Sequence, residues 1–129
     1  MLDGLPVLDL TDHRGQVGPW LLAELGAQVV RVVRPDGRAP GCDEWVHDGR
    51  DLADEVYGAG KVAVSLDPAS ADDRARLRAL VADASVVVDA GPPGRLAAYG
   101  IDRRRLIELN PTVVAVLVTV LTQDAPSGY

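Results

Sequence analysis

Five short apolar segments, spaced along the chain, constrain its fold more than any other feature. They read LPVLDL, QVVRVV, KVAVSL, SVVVD and TVVAVLVTVL and cover residues 5–10, 28–33, 61–66, 85–89 and 112–121. Their β-branched and leucine side chains are typical of buried strands, and helical segments separate them. Strands that alternate with helices predict an α/β fold, here an open, doubly wound and mostly parallel sheet of about five strands with helices on both faces.

The segments between the strands carry helical signals. Residues 20–26, WLLAELG, place Leu21, Leu22 and Leu25 on one helical face, and Gly26 suits the position after a helix end. Further helices are predicted over 51–57, 71–84, 96–99 and 103–110, and a loop over 35–50. The last apolar run is continuous instead of alternating, so we expect a strand that is covered on both faces. At 129 residues the chain has the size of one domain, 1–129.

Charge and composition exclude several functions. The formal net charge is −6 and the arginines are scattered among acids, which argues against a nucleic-acid partner. The single Cys42 and the distant His13 and His47 give no disulfide and no metal-ligand spacing. The N-terminus is acidic and no apolar run approaches ~18 residues, so we expect no membrane segment and a cytoplasmic location.

The turn after the first strand, TDHRGQVGP, lies where backbone amides can approach an anionic ligand in α/β proteins. It lacks the spacing G-x-G-x-x-G, so a structural turn is the simpler interpretation and a phosphate-binding turn stays open. His13 could act as a base, but no Ser, Cys or acid at a diagnostic spacing supports a catalytic triad.

Two basic residues lie at strand ends. Arg34 follows the second strand, at the edge where open α/β sheets bind ligands, and its planar guanidinium suits a phosphate or an adenine face. A solvated strand-end arginine explains that position equally well. Lys61 begins the third strand at the opposite edge, so a site shared with Arg34 would need a long loop.

The order of the segments resembles that of a known family. The pieces are LDGLPVLDLT, LLAELGAQVVRVVRPDG, GAGKVAVSLDPAS, LVADASVVVDAGPPGRLAAYGID and LIELNPTVVAVLVT. In this order they closely resemble the N-terminal part of class III coenzyme A transferases, which include formyl-CoA and carnitine CoA-transferases and α-methylacyl-CoA racemases. The resemblance covers Leu2 to Tyr129. It implies a Rossmann-like large domain that binds coenzyme A as an acyl-CoA substrate, in a dimer whose subunits thread through each other.

The resemblance also implies that the catalytic residues lie elsewhere. The family's catalytic aspartate, and the His and Asp bases of the racemases, lie beyond the part that corresponds to VTVLTQDAPSGY. We therefore expect a fragment, a truncated homologue or one piece of a larger enzyme, completed by its own dimer or by a second chain. Three functions stay open: part of a CoA-transferase, a degenerate scaffold with the same fold, and a piece of a racemase.

Four residues match family positions at the coenzyme A site. Gln16 lies in the turn that borders the thioester, and Arg34 matches an arginine that packs near the adenine. Lys61 matches the lysine that opens the third strand, and Leu66 matches a leucine that contacts the nucleotide. The resemblance thus implies a coenzyme A site that includes Gln16, Arg34, Lys61 and Leu66.

The turn after the fourth strand departs from the family. Members commonly read Glu-Asn-Phe-Arg-Pro-Gly, where this chain has Asp89, Ala90, Gly91, Pro92, Pro93 and Gly94. The Asn, the aromatic ring and the basic group that usually hold the nucleotide are therefore absent from this turn. The loss of a stacking ring and of a charged contact each removes on the order of 1–3 kcal/mol of binding free energy.

Overall fold

A five-stranded parallel sheet forms the centre of the molecule in the computed structural model, which describes residues 1–13, 15–35, 46–90 and 94–119. Its strands are β1 (Pro6–Leu10), β2 (Gln28–Val33), β5 (Lys61–Ser65), β6 (Val86–Ala90) and β7 (Val114–Val118). They lie in the order β5-β2-β1-β6-β7, and every neighbouring pair is parallel. The first strand is thus central and the chain changes direction beside it, as in Rossmann folds. The predicted fold class is confirmed.

The helices are α1 (Val17–Glu24), α2 (Leu52–Tyr57), α3 (Ala71–Asp83), a 3₁₀ helix (Arg95–Tyr99) and α4 (Arg103–Leu109). None of the helices in the described ranges combines the length and the apolar content that crossing a membrane requires. Helices cover both faces of the sheet. Leu22 and Ala23 of α1 pack on Val7 and Val29, whereas Leu77 and Val81 of α3 pack with Leu8, Leu10 and Val32 on the opposite face.

A short antiparallel hairpin lies at the end of the segment 35–50 that was predicted to be a loop and extends to Asp51, the predicted first residue of the next helix. Its strands β3 (Val46–His47) and β4 (Arg50–Asp51) flank Asp48 and Gly49, whose φ angles are 50° and 74°. Positive φ at both turn positions is typical of a two-residue hairpin, and Asp-Gly is its usual sequence signal. The loop prediction missed that signal. The preceding residues 36–45 lie outside the described residues.

The predicted apolar face of the first helix is wrong in part. Helix α1 begins at Val17, and Leu22 faces the sheet, but Leu21 and Leu25 are 49% and 44% exposed. The helix turns Leu22 and Ala23 toward the sheet, so Leu21 and Leu25 lie on the side that points away from it. Gly26 follows the helix as predicted: its φ is +100°, and a Cβ there would lie 2.6 Å from Oδ1 of Asp3.

The prediction that the last strand is covered on both faces is wrong for the described residues. Strand β7 lies at the edge of the sheet and pairs with β6 alone. Val114, Val116 and Leu117 are 57%, 45% and 54% exposed. A continuous apolar run indicates two buried faces only where a neighbouring element supplies the cover, and sequence periodicity does not report that neighbour.

Candidate ligand site at the carboxyl edge of the sheet

The carboxyl ends of β1, β2 and β6 meet at one edge of the sheet, at the point where the chain changes direction between β1 and β6. Ligands of open α/β sheets bind in the crevice outside such a switch point. The turn 11–16, Arg34, Asp89 and Arg95 belong to this edge. It is therefore the candidate functional site.

The turn after β1 is polar, yet its residues Thr11, Asp12 and Gln16 are buried. Thr11 and Gln16 are 1% and 0% exposed. Oδ1 of Asp9 accepts hydrogen bonds from the Thr11 amide at 2.9 Å and from the Thr11 hydroxyl at 2.6 Å, and the Gly15 amide donates to the Asp12 carbonyl at 3.0 Å. A Cβ at Gly15 would lie 3.0 Å from Cγ2 of Thr11, so the turn is tightly folded. A folded turn of this kind holds Gln16 in a fixed position.

A buried ion pair lies beneath the turn. Nζ of Lys61 lies 2.7 Å from Oδ2 of Asp9, and the two side chains are 1% and 0% exposed. The same Nζ lies 3.5 Å from the backbone oxygen of Gln16. Arg31, which is beside Asp9 in the parallel register, is also buried. The extended side chain of Lys61 spans from the start of β5 to Asp9 of β1 without any loop, whereas a site that Lys61 shares with Arg34 stays a prediction.

Arg34 and Leu66 lie side by side at the ends of β2 and β5. The Leu66 amide donates to the Val33 carbonyl at 3.2 Å, and the Ser65 hydroxyl donates to the Arg34 carbonyl at 3.4 Å. Arg34 is exposed, whereas the Leu66 side chain is 0% exposed and packs in the core. The Leu66 carbonyl accepts a hydrogen bond from the Tyr99 hydroxyl at 2.9 Å, and burial raises the pKa of Tyr99. Nucleotide contacts by Arg34 and Leu66 stay predictions.

Asp89 fixes the start of the 3₁₀ helix. Its Oδ1 accepts hydrogen bonds from the amides of Ala90 and Arg95, both at 2.8 Å, and its Oδ2 accepts one from the Leu96 amide at 3.2 Å. Burial raises the pKa of Asp89 in spite of these three bonds. Asp89 thus holds the residues on both sides of the divergent turn, Ala90 before it and Arg95 after it. Residues 91–93 of this turn lie outside the described residues.

Replacing Asp89 by asparagine should change how stability depends on pH. The pKa of Asp89 is raised above its ordinary value of 3.8, so the folded chain holds this proton more tightly than the unfolded chain. The resulting stabilisation is complete below the ordinary pKa and is lost as the pH rises through the folded value. Urea unfolding should show the wild type losing stability relative to Asp89→Asn as the pH rises above about 4. Asp83→Asn, at an exposed position, is the control. The same pH dependence of the unfolding free energy in Asp89→Asn and in the wild type would contradict the expectation.

Arg95 joins three elements at this edge. Its Nη1 lies 3.4 Å from the carbonyl of Thr11 and its Nη2 lies 3.2 Å from the carbonyl of Val32. Burial lowers the pKa of this guanidinium. No motif in the sequence pointed to Arg95, whereas Asp9 and Arg31 could have been noticed as charges that interrupt two apolar strands at paired positions.

The sheet order and the polar carboxyl edge define an open α/β protein of Rossmann topology. Residues 2–128 match CoA-transferase family III. The chain is 34% identical to the succinate–glutarate CoA-transferase of Agrobacterium fabrum, over 99% of this chain and 35% of that protein. It is 36% identical to the succinyl-CoA:mesaconate CoA-transferase of Haloarcula hispanica, over 88% of this chain and 30% of that protein. The chain therefore belongs to CoA-transferase family III, and the resemblance seen in the sequence is confirmed.

Solved structures agree with this assignment. The crystal structure of Rv3272 from Mycobacterium tuberculosis, in its orthorhombic form, matches with a TM-score of 0.76 and 29% identity, over 98% of this chain and 36% of that chain. A CAIB/BAIF family protein from Brucella suis matches with a TM-score of 0.72 and 31% identity, over 97% of this chain and 35% of that chain. The chain thus spans about a third of the length of the relatives that it matches.

Proposed function

We propose that residues 1–129 are the Rossmann-like N-terminal part of a class III CoA-transferase-like protein and form part of its site for a CoA thioester. The reaction would transfer coenzyme A between an acyl-CoA and a carboxylic acid. The observation that carries the proposal is the polar turn at the switch point of the sheet, where Thr11 and Gln16 are buried and the pair Lys61–Asp9 lies beneath them. A cytoplasmic location, as the sequence predicts, suits such a substrate.

The four predicted site residues would contribute in different ways. Arg34 is exposed at the carboxyl edge, so its guanidinium can bind a phosphate or stack on the adenine. Gln16 is buried at the start of α1, in the turn that would border the thioester. The burial of Lys61 and Leu66 favours positioning roles, because Lys61 holds the turn and Leu66 packs beneath the end of β5. The residues of the chemical step would come from the rest of the protein.

Coenzyme A binding tests the proposal. Isothermal titration of the chain with coenzyme A and acetyl-CoA should give saturable heat with a submillimolar dissociation constant. Arg34→Ala should weaken this binding roughly tenfold, because a charge-assisted contact contributes about 1.5–3 kcal/mol. Arg104→Ala is the matched control, since Arg104 is 88% exposed and pairs with Glu108 on its own helix. The proposal would be refuted if millimolar ligand gave no heat of binding, both with the chain alone and with the chain mixed with a candidate partner chain.

The exposed side of β7 favours a second candidate, a degenerate domain that serves in assembly. A groove of about 600 Å³ lies between β7 and α4, and most of its lining is apolar, including Ile101, Leu106 and Ala115. Transferase activity of the 129-residue chain alone, abolished by Arg34→Ala, would refute a purely structural role.

A racemase piece remains a third candidate within the same family. Nδ1 of His13 is buried and makes no hydrogen bond to the described residues, so a role as a base stays a prediction. Because the resemblance places the transferase aspartate and the racemase His and Asp bases outside this chain, the two activities separate only on the longer protein. Incubation with a chiral α-methylacyl-CoA distinguishes them: epimerisation without an acceptor acid indicates a racemase, and transfer to an added acid indicates a transferase.

A further inference from the structure

The side chain of Arg95 lies across the ends of the two strands that form the candidate site. Its Nη1 faces the carbonyl of Thr11, directly after β1, and its Nη2 faces the carbonyl of Val32, near the end of β2. Arg34 follows two residues after Val32, roughly 7 Å farther along the strand. The chain thus brings a second guanidinium to the strand end that carries Arg34.

The carboxylates of Asp89 and Asp9 attract the guanidinium of Arg95, and Arg31 repels it, but Arg95 forms no direct ion pair with the described residues. Both hydrogen-bond acceptors are backbone carbonyls, and none of the ion pairs among the described residues includes Arg95. The nearest acid on its own segment, Asp89, accepts hydrogen bonds from backbone amides of the 3₁₀ helix instead of from the guanidinium. Guanidinium carries further N–H groups beyond the two in use. A half-buried cation that has further N–H groups to donate is suited to bind an anionic ligand.

The position of Arg95 in the chain matters as well. It directly follows the turn between Asp89 and Gly94, which lacks the basic residue that the family pattern would place there. Asp89 holds the Arg95 amide at 2.8 Å, so the backbone from which the guanidinium extends is fixed at the site. A fixed backbone reduces the entropy that a long side chain loses on binding.

We propose that Arg95 is a ligand-binding residue whose guanidinium binds a phosphate of the nucleotide end of coenzyme A, in place of the basic group that is missing from the preceding turn. The proposal rests on the proposed function. It assigns the affinity for phosphate groups to Arg95, outside the divergent turn that follows Asp89. The pantetheine end would lie at the turn after β1.

Titration of the 129-residue chain with coenzyme A, dephospho-coenzyme A and pantetheine tests the proposal. Arg95→Met should weaken coenzyme A binding at least tenfold and leave pantetheine binding unchanged. Loss for coenzyme A alone would assign Arg95 to the 3′-phosphate, whereas equal loss for dephospho-coenzyme A would assign it to the diphosphate. Arg104→Met, at an exposed position, should bind all three ligands like the wild type.

Arg95→Lys covers the case in which Arg95→Met does not fold. Lysine keeps the positive charge but loses the planar fork, so coenzyme A should bind at least threefold more weakly and pantetheine should bind as before. Wild-type affinity of either variant for coenzyme A, or an equal loss for pantetheine, would overturn the assignment. If the wild-type chain binds no coenzyme A, both the proposed function and the role of Arg95 are refuted. If the wild type and Arg95→Met bind coenzyme A equally well, only the role of Arg95 is refuted.

Discussion

Replacement of Lys61 by methionine is expected to lower the free energy of unfolding by about 3–5 kcal/mol, because it leaves the carboxylate of Asp9 buried without its counter-charge. Methionine has nearly the length of lysine and an apolar end, so the change leaves little cavity. Asp9 would keep the hydrogen bonds from Thr11, but these do not replace a full positive charge at 2.7 Å. Urea unfolding followed by circular dichroism measures the loss.

The double variant Asp9→Asn with Lys61→Met separates the uncompensated charge from other effects. Removing both charges should recover a large part of the lost stability, since a neutral amide can still accept the Thr11 hydrogen bonds. Arg105→Met is the surface control, because Arg105 pairs with Glu108 at an exposed position and such pairs contribute at most about 1 kcal/mol. A loss below about 1 kcal/mol for Lys61→Met would contradict a buried pair.

Replacement of Asn110 by alanine is expected to cost about 2–4 kcal/mol of stability, since buried polar groups left without partners cost about 1–3 kcal/mol each. Nδ2 of Asn110 donates to the carbonyls of Val81 at 2.9 Å and Ala84 at 2.6 Å, with Ala82 at 3.3 Å. These carbonyls lie at the C-terminal end of α3, where a helix lacks its own donors. Asn110 therefore joins α4 to the end of α3.

Asn110→Asp tests whether the side-chain donor of Asn110 is what stabilises this contact. An ionised carboxylate has no donor and would face three carbonyl oxygens, so at neutral pH this variant should lose more stability than Asn110→Ala. The gap should narrow below about pH 4, where the carboxyl group is protonated and can donate once. Thr112→Ala is the control, because the Thr112 hydroxyl donates to Oδ1 of Asn110 and not to the Nδ2 group that binds the carbonyls. Equal stability of Asn110→Asp and the wild type at neutral pH would exclude the donor role of Asn110.

The sequence predicted the elements of this fold better than their surroundings. Strand β2 was predicted at its observed bounds, and the other strands were predicted within a few residues, because β-branched runs interrupted by turn residues are a local signal. The exposure of β7 and of Leu21 depends on which neighbour packs against each element. A local pattern carries no information about that neighbour. The Asp48-Gly49 hairpin was predictable from its residues and was missed.

The candidate site shows the same division. Gln16 and Arg34 follow strands, so the parallel topology alone predicts that they lie at the carboxyl edge. The contact between Lys61 and Asp9 depends on a side chain that extends past a neighbouring strand, and sequence spacing does not report such a reach. Arg95 comes to the edge because the 3₁₀ helix turns back over the sheet. Nothing in the letters GRLAAYG indicates that direction.

The central place of β1 has a consequence for the route by which the chain folds. Strand β1 pairs on one side with β2, about 20 residues later, and on the other side with β6, about 80 residues later. Closing the longer loop costs about 1 kcal/mol more entropy than closing the shorter one. The half that contains β1, β2 and β5 can therefore assemble first, and the arrival of β6 completes the crevice beside β1. The ligand crevice therefore exists only once the more distant of the two partners of β1 has paired with it.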